Sequence, residues 1–427
     1  MDGRLFLKTT ELKFDVVIVN LPEPQTAQLN RFYTVEFFRE VSDKLNAGGV
    51  FSFPVKGAED YIGPQLAEFL RCIHKTLRQV FPEVLAIPGD PVHFVASPQS
   101  GSLTVDTQEL IARLRARHIH TSYVREYYLP YRMTADRMLD LQSQLPMQVD
   151  TRINRDFAPV AYYFDVALWS TQFDLSYRSA FQRMGRVHFA FLLAVLGLVL
   201  TVLIGVLRWS ATTSNRWRVG SGFCVAAMGF TLIGLEMLLL LAFQAIYGYV
   251  YQQLAVIIAG FMVGMAVGSW RGSVADRFRP FDHAQGQRRS LKMDARRLIL
   301  LQVLAAASAL LLYVLLRSFA GVVKPASIFL VSQLIFPLLA VVFGVLGGYQ
   351  FPIASRIFFG DSKNDPSSSG ALYAVDLAGA CVGALVLSTY LVPVFGFQQT
   401  AWLMAVVNLV PAVLVGLLIL AKPGHPA

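Results

Sequence analysis

The chain changes character near residue 187, where a polar, mixed sequence gives way to a series of long apolar runs. Each run is long enough to cross the hydrocarbon core of a bilayer, which takes about 20 residues. The seven runs cover residues 187–207, 221–243, 253–270, 298–316, 326–349, 371–395 and 400–421. A mean hydropathy of +0.49 agrees with this pattern. We therefore predict a soluble-type domain followed by an all-α transmembrane bundle of about seven helices, with the lipid bilayer as a partner.

The first part of the chain shows the alternating strand and helix patterns of an α/β domain. Short runs rich in β-branched and aromatic residues predict buried strands, and apolar residues at helical spacing predict amphipathic helices. The predicted order is strand 14–19, helix 31–45, strand 50–55, helix 64–80, and strands 84–87 and 93–96. This β-α-β-α-β-β order is typical of the C-terminal half of a Rossmann-like, methyltransferase-type sheet.

The domain boundaries follow from these patterns. We expect a partial Rossmann-like domain over 1–105, a helical extension and connector over 106–186, and the transmembrane domain over 187–427. A glycine pair at Gly48 and Gly49 is expected to stop the helix 31–45. Residues 2–4 read as the tail of an earlier strand and turn. Because a nucleotide site in such a fold needs a first strand and its glycine-rich turn, we expect an N-terminally truncated fragment or a misplaced start.

Charge and cysteine content narrow the possible partners. The net charge is +9, and eight Lys and Arg residues fall within 271–297, between the third and fourth apolar runs. The positive-inside rule makes this a cytoplasmic loop, so we expect no nucleic-acid partner. The three cysteines are widely spaced, and no His lies at metal-ligand spacing from a Cys or a carboxylate. We therefore predict neither a disulfide framework nor a metal site.

Two carboxylates lie inside apolar runs, Glu236 in the second and Asp376 in the sixth. A carboxylate at the bilayer centre costs about 2.5–3.5 kcal/mol or more, so each should face the protein interior or a watery cavity. Both are intramembrane functional-site candidates. The alternative is a helix-to-helix hydrogen bond made by a protonated acid. Arg356, near the end of the fifth run, is the expected partner of Asp376.

Glycines recur every fourth residue in the third run, at Gly260, Gly264 and Gly268. A face of small residues lets two helix backbones approach closely. We therefore predict that this face packs against another helix.

Four ordered segments of the first part resemble one enzyme family. The segments are 2–7 (DGRLFL), 14–24 (FDVVIVNLPEP), 29–38 (LNRFYTVEFF) and 45–50 (LNAGGV). They resemble the aminopropyltransferases, the spermidine and spermine synthases, in which a G-D-x-x-x-F-L segment, a strand ending in D-x-x-D-P, an L-[FY]-x-x-x-F-[FY] helix and an L-x-x-G-G-V turn follow one another. Further segments resemble the membrane-fused, spermidine synthase-like branch: 151–169, 234–236, 261–269, 350–352 and 372–379.

The resemblance implies transfer of an aminopropyl group from decarboxylated S-adenosylmethionine, as co-substrate, to a polyamine such as putrescine. Asn20 and Glu23 match the two catalytic Asp positions of the family, and Glu23 is also the candidate for substrate binding. Asp2 matches the position that contacts the adenine amine of the co-substrate. Tyr33 either lines the substrate pocket or belongs to the apolar core.

Asn20 stands where the family has an Asp, and an amide cannot take a proton from the attacking amine. Three functions of the chain therefore stay open. The chain is a membrane-bound aminopropyltransferase, or a multi-pass transporter or sensor of polyamines or cations with a non-catalytic synthase domain, or a structural membrane protein with a vestigial domain. We expect a multi-pass protein of the bacterial inner or plasma membrane.

The sequence also does not determine on which side of the membrane residues 1–186 lie. Counting back from a cytoplasmic 271–297 places 1–186 outside, whereas an enzyme that uses an adenosyl co-substrate belongs inside. Either the first run does not cross fully, or the domain faces out, or it is not a cytosolic enzyme.

Overall fold

A computed structural model describes residues 2–122, 124–146, 151–170, 187–209, 213–248, 251–274, 284–359 and 366–420. The chain divides into two compact units. The first comprises Met1–Arg186 with Ala245–Gly248, and the second comprises Val187–Gln244 with Tyr249–Ala427.

The first unit is a small mixed sheet with helices around it. Its helices are α1 Gly3–Thr9, α2 Ala27–Asn30, α3 Val35–Ser42, α4 Pro64–Arg78, α5 Thr107–Ala116, α6 Tyr128–Arg132, α7 Ala135–Gln144 and α8 Val160–Ser170. Its strands are β1 Phe14–Ile18, β2 Leu45–Val55, β3 Glu83–Ile87 and β4 Val92–Ser97. The predicted order of the four strands, with α3 before β2 and α4 before β3, is confirmed.

The four strands lie in the order β1-β2-β4-β3. Strands β1 and β2 are parallel, with Val16 opposite Val50. The other two pairs, β2 with β4 and β3 with β4, are antiparallel. The carboxyl ends of β1 and β2 therefore meet at one edge of the sheet.

The prediction that residues 2–4 end a strand and turn is wrong. Helix α1 begins at Gly3, and the extended backbone of Asp2 makes it the N-cap residue. The Asp2 side chain accepts hydrogen bonds from the backbone N–H groups of Arg4 and Leu5, each at 3.1 Å. A short carboxylate at this position satisfies the first free N–H groups of a helix. The local chemistry of Asp2 therefore starts a helix here.

The predicted helix 31–45 is shorter than expected. Helix α3 begins after its cap, Thr34, and ends at Ser42, and β2 already starts at Leu45. The pairing of β1 with β2 shifts register between Phe14 and Val16. Gly48, with φ of 73°, lies in this irregular stretch of β2. The glycine pair therefore permits a bulge in the strand and does not cap the helix.

The core of the first unit is largely aromatic. The Phe53 ring stacks on Phe38 at 5.5 Å and on Phe94 at 5.7 Å between ring centroids. Ala161 and Leu168 of α8 belong to the same buried cluster. Helix α8 thus contributes to the core of the first unit through these two residues.

The second unit is helical. Its elements are α9 Phe189–Trp209, α10 Thr213–Tyr247, α11 Tyr251–Val274, α12 Ala284–Ala320, α13 Pro325–Leu330, a π-helical turn Val331–Ile335, α14 Phe336–Phe359, α15 Pro366–Val386, a second π-helical turn Leu387–Leu391, and α16 Val392–Leu420. The predicted basic loop 271–297 is helical on both sides of residues 275–283, which lie outside the described residues.

Six described helices, and not seven, are long and apolar enough to cross a membrane. The difference lies in the last one, Gly370–Leu420, which spans 51 residues. This stretch contains the predicted span 371–395 and all but the last residue of the predicted span 400–421. Gly396, with φ of 74° and ψ of 175°, breaks the helix between them.

The glycine face of α11 packs against α14, as predicted. A Cβ atom added at Gly264 would lie 2.2 Å from the carbonyl oxygen of Val341, and one added at Gly268 would lie 2.3 Å from that of Val345. The contact is reciprocal, because a Cβ at Gly344 would lie 2.2 Å from the carbonyl oxygen of Phe261. The backbones of α11 and α14 therefore touch.

A second pair of helices is joined in the same way. A Cβ at Gly379 of α15 would lie 2.2 Å from the carbonyl oxygen of Ala226 in α10. Between the two pairs the contact is made by a side chain: Leu232 of α10 fills the space above Gly347 of α14, where a Cβ would lie 2.0 Å from Leu232 Cδ1.

We expect Gly264→Ala to destabilise the second unit by about 1–3 kcal/mol, because overpacking forces backbones apart. Gly205→Ala in α9 is the matched control, since nothing lies within 4 Å of a Cβ there. Thermal unfolding of the full chain in detergent measures both. Equal effects of the two substitutions would contradict the tight α11–α14 contact.

Candidate functional site

The loop that follows β1 lies at the carboxyl edge of the parallel strand pair. Val19 still pairs with β2, because its N–H donates to the carbonyl oxygen of Ser52 at 2.9 Å. The chain then leaves the sheet at Asn20, whose side chain is exposed. Ligands of open α/β sheets bind outside the carboxyl ends of the strands. This loop, residues 20–25, is therefore the natural position for a substrate site.

Glu23 lies half-buried in the same loop. The backbone N–H of Gln25 donates to the Glu23 carbonyl oxygen at 2.7 Å, and the Gln25 amide lies 3.4 Å from Glu23 Oε2. The loop thus presents one carboxylate and, at Asn20, one amide.

Tyr33 fixes the path of this loop. Its side chain is fully buried, and its ring meets that of Phe53 edge-on at 5.6 Å. Its hydroxyl lies 2.9 Å from the carbonyl oxygen of Pro22 and 3.2 Å from that of Leu21, so it donates to the loop backbone. Tyr33 is therefore a core residue that positions the loop.

Asp2 is held in place from two sides. Its Oδ1 atom caps α1 and also forms an ion pair with Arg31. Burial lowers the pKa of the Arg31 guanidinium, although the charge of Asp2 opposes this shift. Arg31 is only two residues from Tyr33, so the segment 31–33 connects Asp2 to the loop 20–25.

A buried ion cluster at Arg4 escaped the sequence analysis. The Arg4 guanidinium is 4% exposed and lies between two carboxylates. It donates to Glu40 at 2.7 and 2.9 Å and to Asp156 at 2.9 and 2.8 Å. A third acceptor is the carbonyl oxygen of Arg31, at 2.9 Å. Asp156 lies 152 residues after Arg4 in the chain, whereas Arg31 and Glu40 come from the segment around α3.

The two carboxylates of the cluster favour the protonated, positively charged form of Arg4. Burial lowers the pKa of Arg4, but the charges of Asp156 and Glu40, together with their hydrogen bonds to Arg4, outweigh burial and raise this pKa overall. Thr34 donates its hydroxyl proton to Asp156 at 2.7 Å, and the backbone N–H of Asp156 donates to Glu36 at 3.1 Å. Burial, followed by the nearby charge of Asp156, raises the pKa of Glu36.

Asn154, two residues before Asp156, connects the segment before α8 to the residues near the loop 20–25. Its side chain is fully buried, and its amide donates to Asn30 Oδ1 at 3.0 Å and to the carbonyl oxygen of Tyr33 at 2.9 Å. The only sequence signal for Asn154 and Asp156 is the family resemblance of residues 151–169, because nothing local pairs them with residues 4–40.

The two intramembrane carboxylates lie in the second unit. Glu236 of α10 is buried, at 6% exposure. Asp376 of α15 lies beside Gly229 of α10, where an added Cβ would be 2.8 Å from Asp376 Oδ1. Asp376 also lines a cavity of the second unit.

The prediction that Arg356 partners Asp376 is wrong. Arg356 donates to Asp294 of α12 at 3.4 Å and to the carbonyl oxygen of Gly272 at 3.1 Å. Asp294 is 3% exposed, so it offers Arg356 a buried carboxylate at the same level of the bundle. Among the described residues, no group of three or more His, Cys, Asp and Glu side chains is placed to hold a metal ion.

Comparison with known proteins agrees with this geometry. Residues 1–89 match the spermine/spermidine synthase domain. Polyamine aminopropyltransferase 2 of Aquifex aeolicus is 34% identical to this chain over 87 residues, which are 20% of the chain and 17% of the relative. The match thus spans about a sixth of that relative's length. The segment that resembles this domain, residues 1–89, contains α1, the loop 20–25 and Tyr33.

We expect Arg4→Met to destabilise the first unit by about 3–5 kcal/mol, because it leaves the buried carboxylate of Asp156 and the partly buried carboxylate of Glu40 without their partner. Hydrogen–deuterium exchange of α1 and α3 amides in the full chain reports the free energy of opening. The control is Arg113→Met, which removes an exposed ion pair with Glu109 and should change stability by about 0–1 kcal/mol. Similar exchange in both variants would show that the Arg4 cluster does not hold the unit together.

Proposed function

We propose that this chain is a membrane-bound, spermidine synthase-like protein that transfers an aminopropyl group from decarboxylated S-adenosylmethionine to a polyamine such as putrescine. The observation that carries the proposal is the loop 20–25. It belongs to a synthase-family segment, lies at the carboxyl edge of β1 and β2, and presents the carboxylate of Glu23.

The proposed chemistry explains why a carboxylate is needed. The amine nitrogen forms a bond to the aminopropyl carbon, the carbon–sulfur bond breaks, and sulfur keeps the electron pair as methylthioadenosine leaves. An ammonium ion cannot attack, because it has no free electron pair. Glu23 would attract the cationic substrate and accept the proton that the attacking amine gives up. Asn20 cannot take a proton, but its carbonyl oxygen can accept a hydrogen bond from the amine and orient it.

Asp2 fits a role in holding the adenosyl co-substrate. Its carboxylate is fixed by the N–H groups of α1 and by Arg31, so it offers an acceptor at a defined position. Such an acceptor suits the exocyclic amine of adenine. Tyr33 would act at a distance, by holding the loop that carries Glu23.

The second unit supports a membrane location. Six described helices are long and apolar enough to cross a membrane, and we place the protein in a bacterial inner or plasma membrane. The proposal further assigns the N-terminal sheet to the Rossmann-like class, with the mixed order β1-β2-β4-β3 in support.

The proposal predicts that membranes carrying the protein convert putrescine and decarboxylated S-adenosylmethionine into methylthioadenosine. Glu23→Gln should lower kcat by about 100-fold or more, as expected for loss of a general base. Glu11→Gln changes an exposed carboxylate outside the loop and should leave the rate unchanged. Product formation no greater than that of membranes with an empty vector would refute the proposal.

The amide at Asn20 gives a second prediction. Asn20→Asp restores the carboxylate expected in the family and should raise kcat for putrescine, because two acceptors can then share the charge and proton of the amine. The measurement is methylthioadenosine release against pH. A rate that is unchanged, or lowered, would mean that the protein uses Asn20 in a different way from the family.

A second candidate function is favoured by that same residue. An amide in place of the first carboxylate suits a domain that binds polyamines without transferring a group to them. The chain would then be a transporter or sensor of polyamines or cations. Putrescine binding by the full chain, with no methylthioadenosine formed, would select this candidate.

A further inference from the structure

A cavity of about 350 Å³ lies inside the second unit, between α10, α11, α14 and α15. Much of its wall is apolar and flexible, with Met228, Met262 and Met265 among the lining residues. Methionine side chains adapt to ligands of different shape. The cavity is therefore suited to an apolar body of a small organic molecule.

Two acceptors give the cavity its polarity. One is the carboxylate of Asp376. The other is Gln350, which is 1% exposed and lines the cavity. The Gln350 amide donates to the carbonyl oxygen of Cys224 at 3.1 Å, and its Oε1 atom has no hydrogen-bond partner among the described residues. A buried acceptor without a partner is costly, and a ligand in the cavity that Gln350 lines can supply the missing donor.

The remaining polar lining groups are the hydroxyls of Ser269 and Tyr373, and no Lys, Arg or His is among the described residues that line the cavity. A ligand that satisfies this wall brings N–H donors and a positive charge. Because Asp376 is the only carboxylate among the described residues of the lining, a single ligand charge is matched and a second would be left without a counter-charge.

We propose that this cavity binds a primary alkylammonium ion, with the ammonium group between Asp376 and Gln350 and the alkyl chain against the methionines. The site is separate from the loop 20–25 and does not depend on aminopropyl transfer. The same ammonium chemistry is offered by free amines and by aminolipid headgroups of the bilayer.

The bundle contains a matched control for Gln350. Gln302 of α12 is also fully buried, donates to the same Cys224 carbonyl oxygen, at 2.7 Å, and has an Oε1 atom without a partner among the described residues. Gln302 does not line the cavity. The two glutamines therefore share an acceptor and differ in their access to the cavity.

The test is calorimetric binding of hexylamine to the full chain in phosphatidylcholine nanodiscs, with empty nanodiscs as background. We expect hexylamine to bind at least about tenfold more tightly than hexanol or putrescine, in line with a charge-assisted hydrogen bond. Asp376→Asn and Gln350→Leu should each weaken hexylamine binding at least about tenfold, whereas Gln302→Leu should not. Thermal unfolding of each variant separates lost binding from lost folding.

Nanodiscs with added phosphatidylethanolamine distinguish the two sources. Competition with hexylamine identifies the aminolipid headgroup, and unchanged binding identifies a free amine; both support the site. Equal affinities for hexylamine and hexanol, or equal losses in Gln302→Leu and Gln350→Leu, would overturn it.

Discussion

The buried charge of Arg4 is the constraint on which the first unit depends. A guanidinium removed from water needs carboxylates on both sides, and here Glu40 and Asp156 supply them. Asp156 lies 152 residues after Arg4 in the chain, so the pairing brings the segment before α8 onto α1. Because Arg4 also holds the carbonyl oxygen of Arg31, the same cluster fixes the segment that carries Tyr33. The geometry of the loop 20–25 is in this sense a consequence of one ion cluster.

The two proposed sites share one chemical pattern. In the loop 20–25 a carboxylate, Glu23, stands near an amide, Asn20. In the second unit the carboxylate of Asp376 and the amide of Gln350 line the same cavity. Each pair offers one negative charge and one neutral acceptor, which together suit an amine. The sites differ in their surroundings, because the loop is open to water and the cavity wall is largely apolar. This difference favours a hydrophilic polyamine at the first and an alkylammonium ion at the second.

Local patterns were sufficient for the strands and the long helices, because period and residue type within about ten residues determine them. These patterns failed where the structure depends on a single capping residue or on a partner that is distant in the chain. Three residues at 2–4 carry no period, so the N-cap role of Asp2 was not visible. The partner of Arg356 depends on how α12 packs against α14. The residue spacing within α14 alone cannot predict this packing. Asp156 was missed for the same reason, and the role of Tyr33 became readable only once its hydroxyl was placed on the loop backbone.

The two kinds of helix contact in the second unit differ in what they allow. Within the pairs α11–α14 and α10–α15, backbone meets backbone at glycines, so neither pair can slide without a clash. Between the pairs, contact at Leu232 and Gly347 is made by a side chain that can change rotamer. Each pair is therefore a rigid unit, and the interface between the two pairs is the more deformable part of the bundle. Since the cavity lies between the two pairs, a shear of one pair against the other would change its width while the backbone contacts at glycines within each pair stay intact.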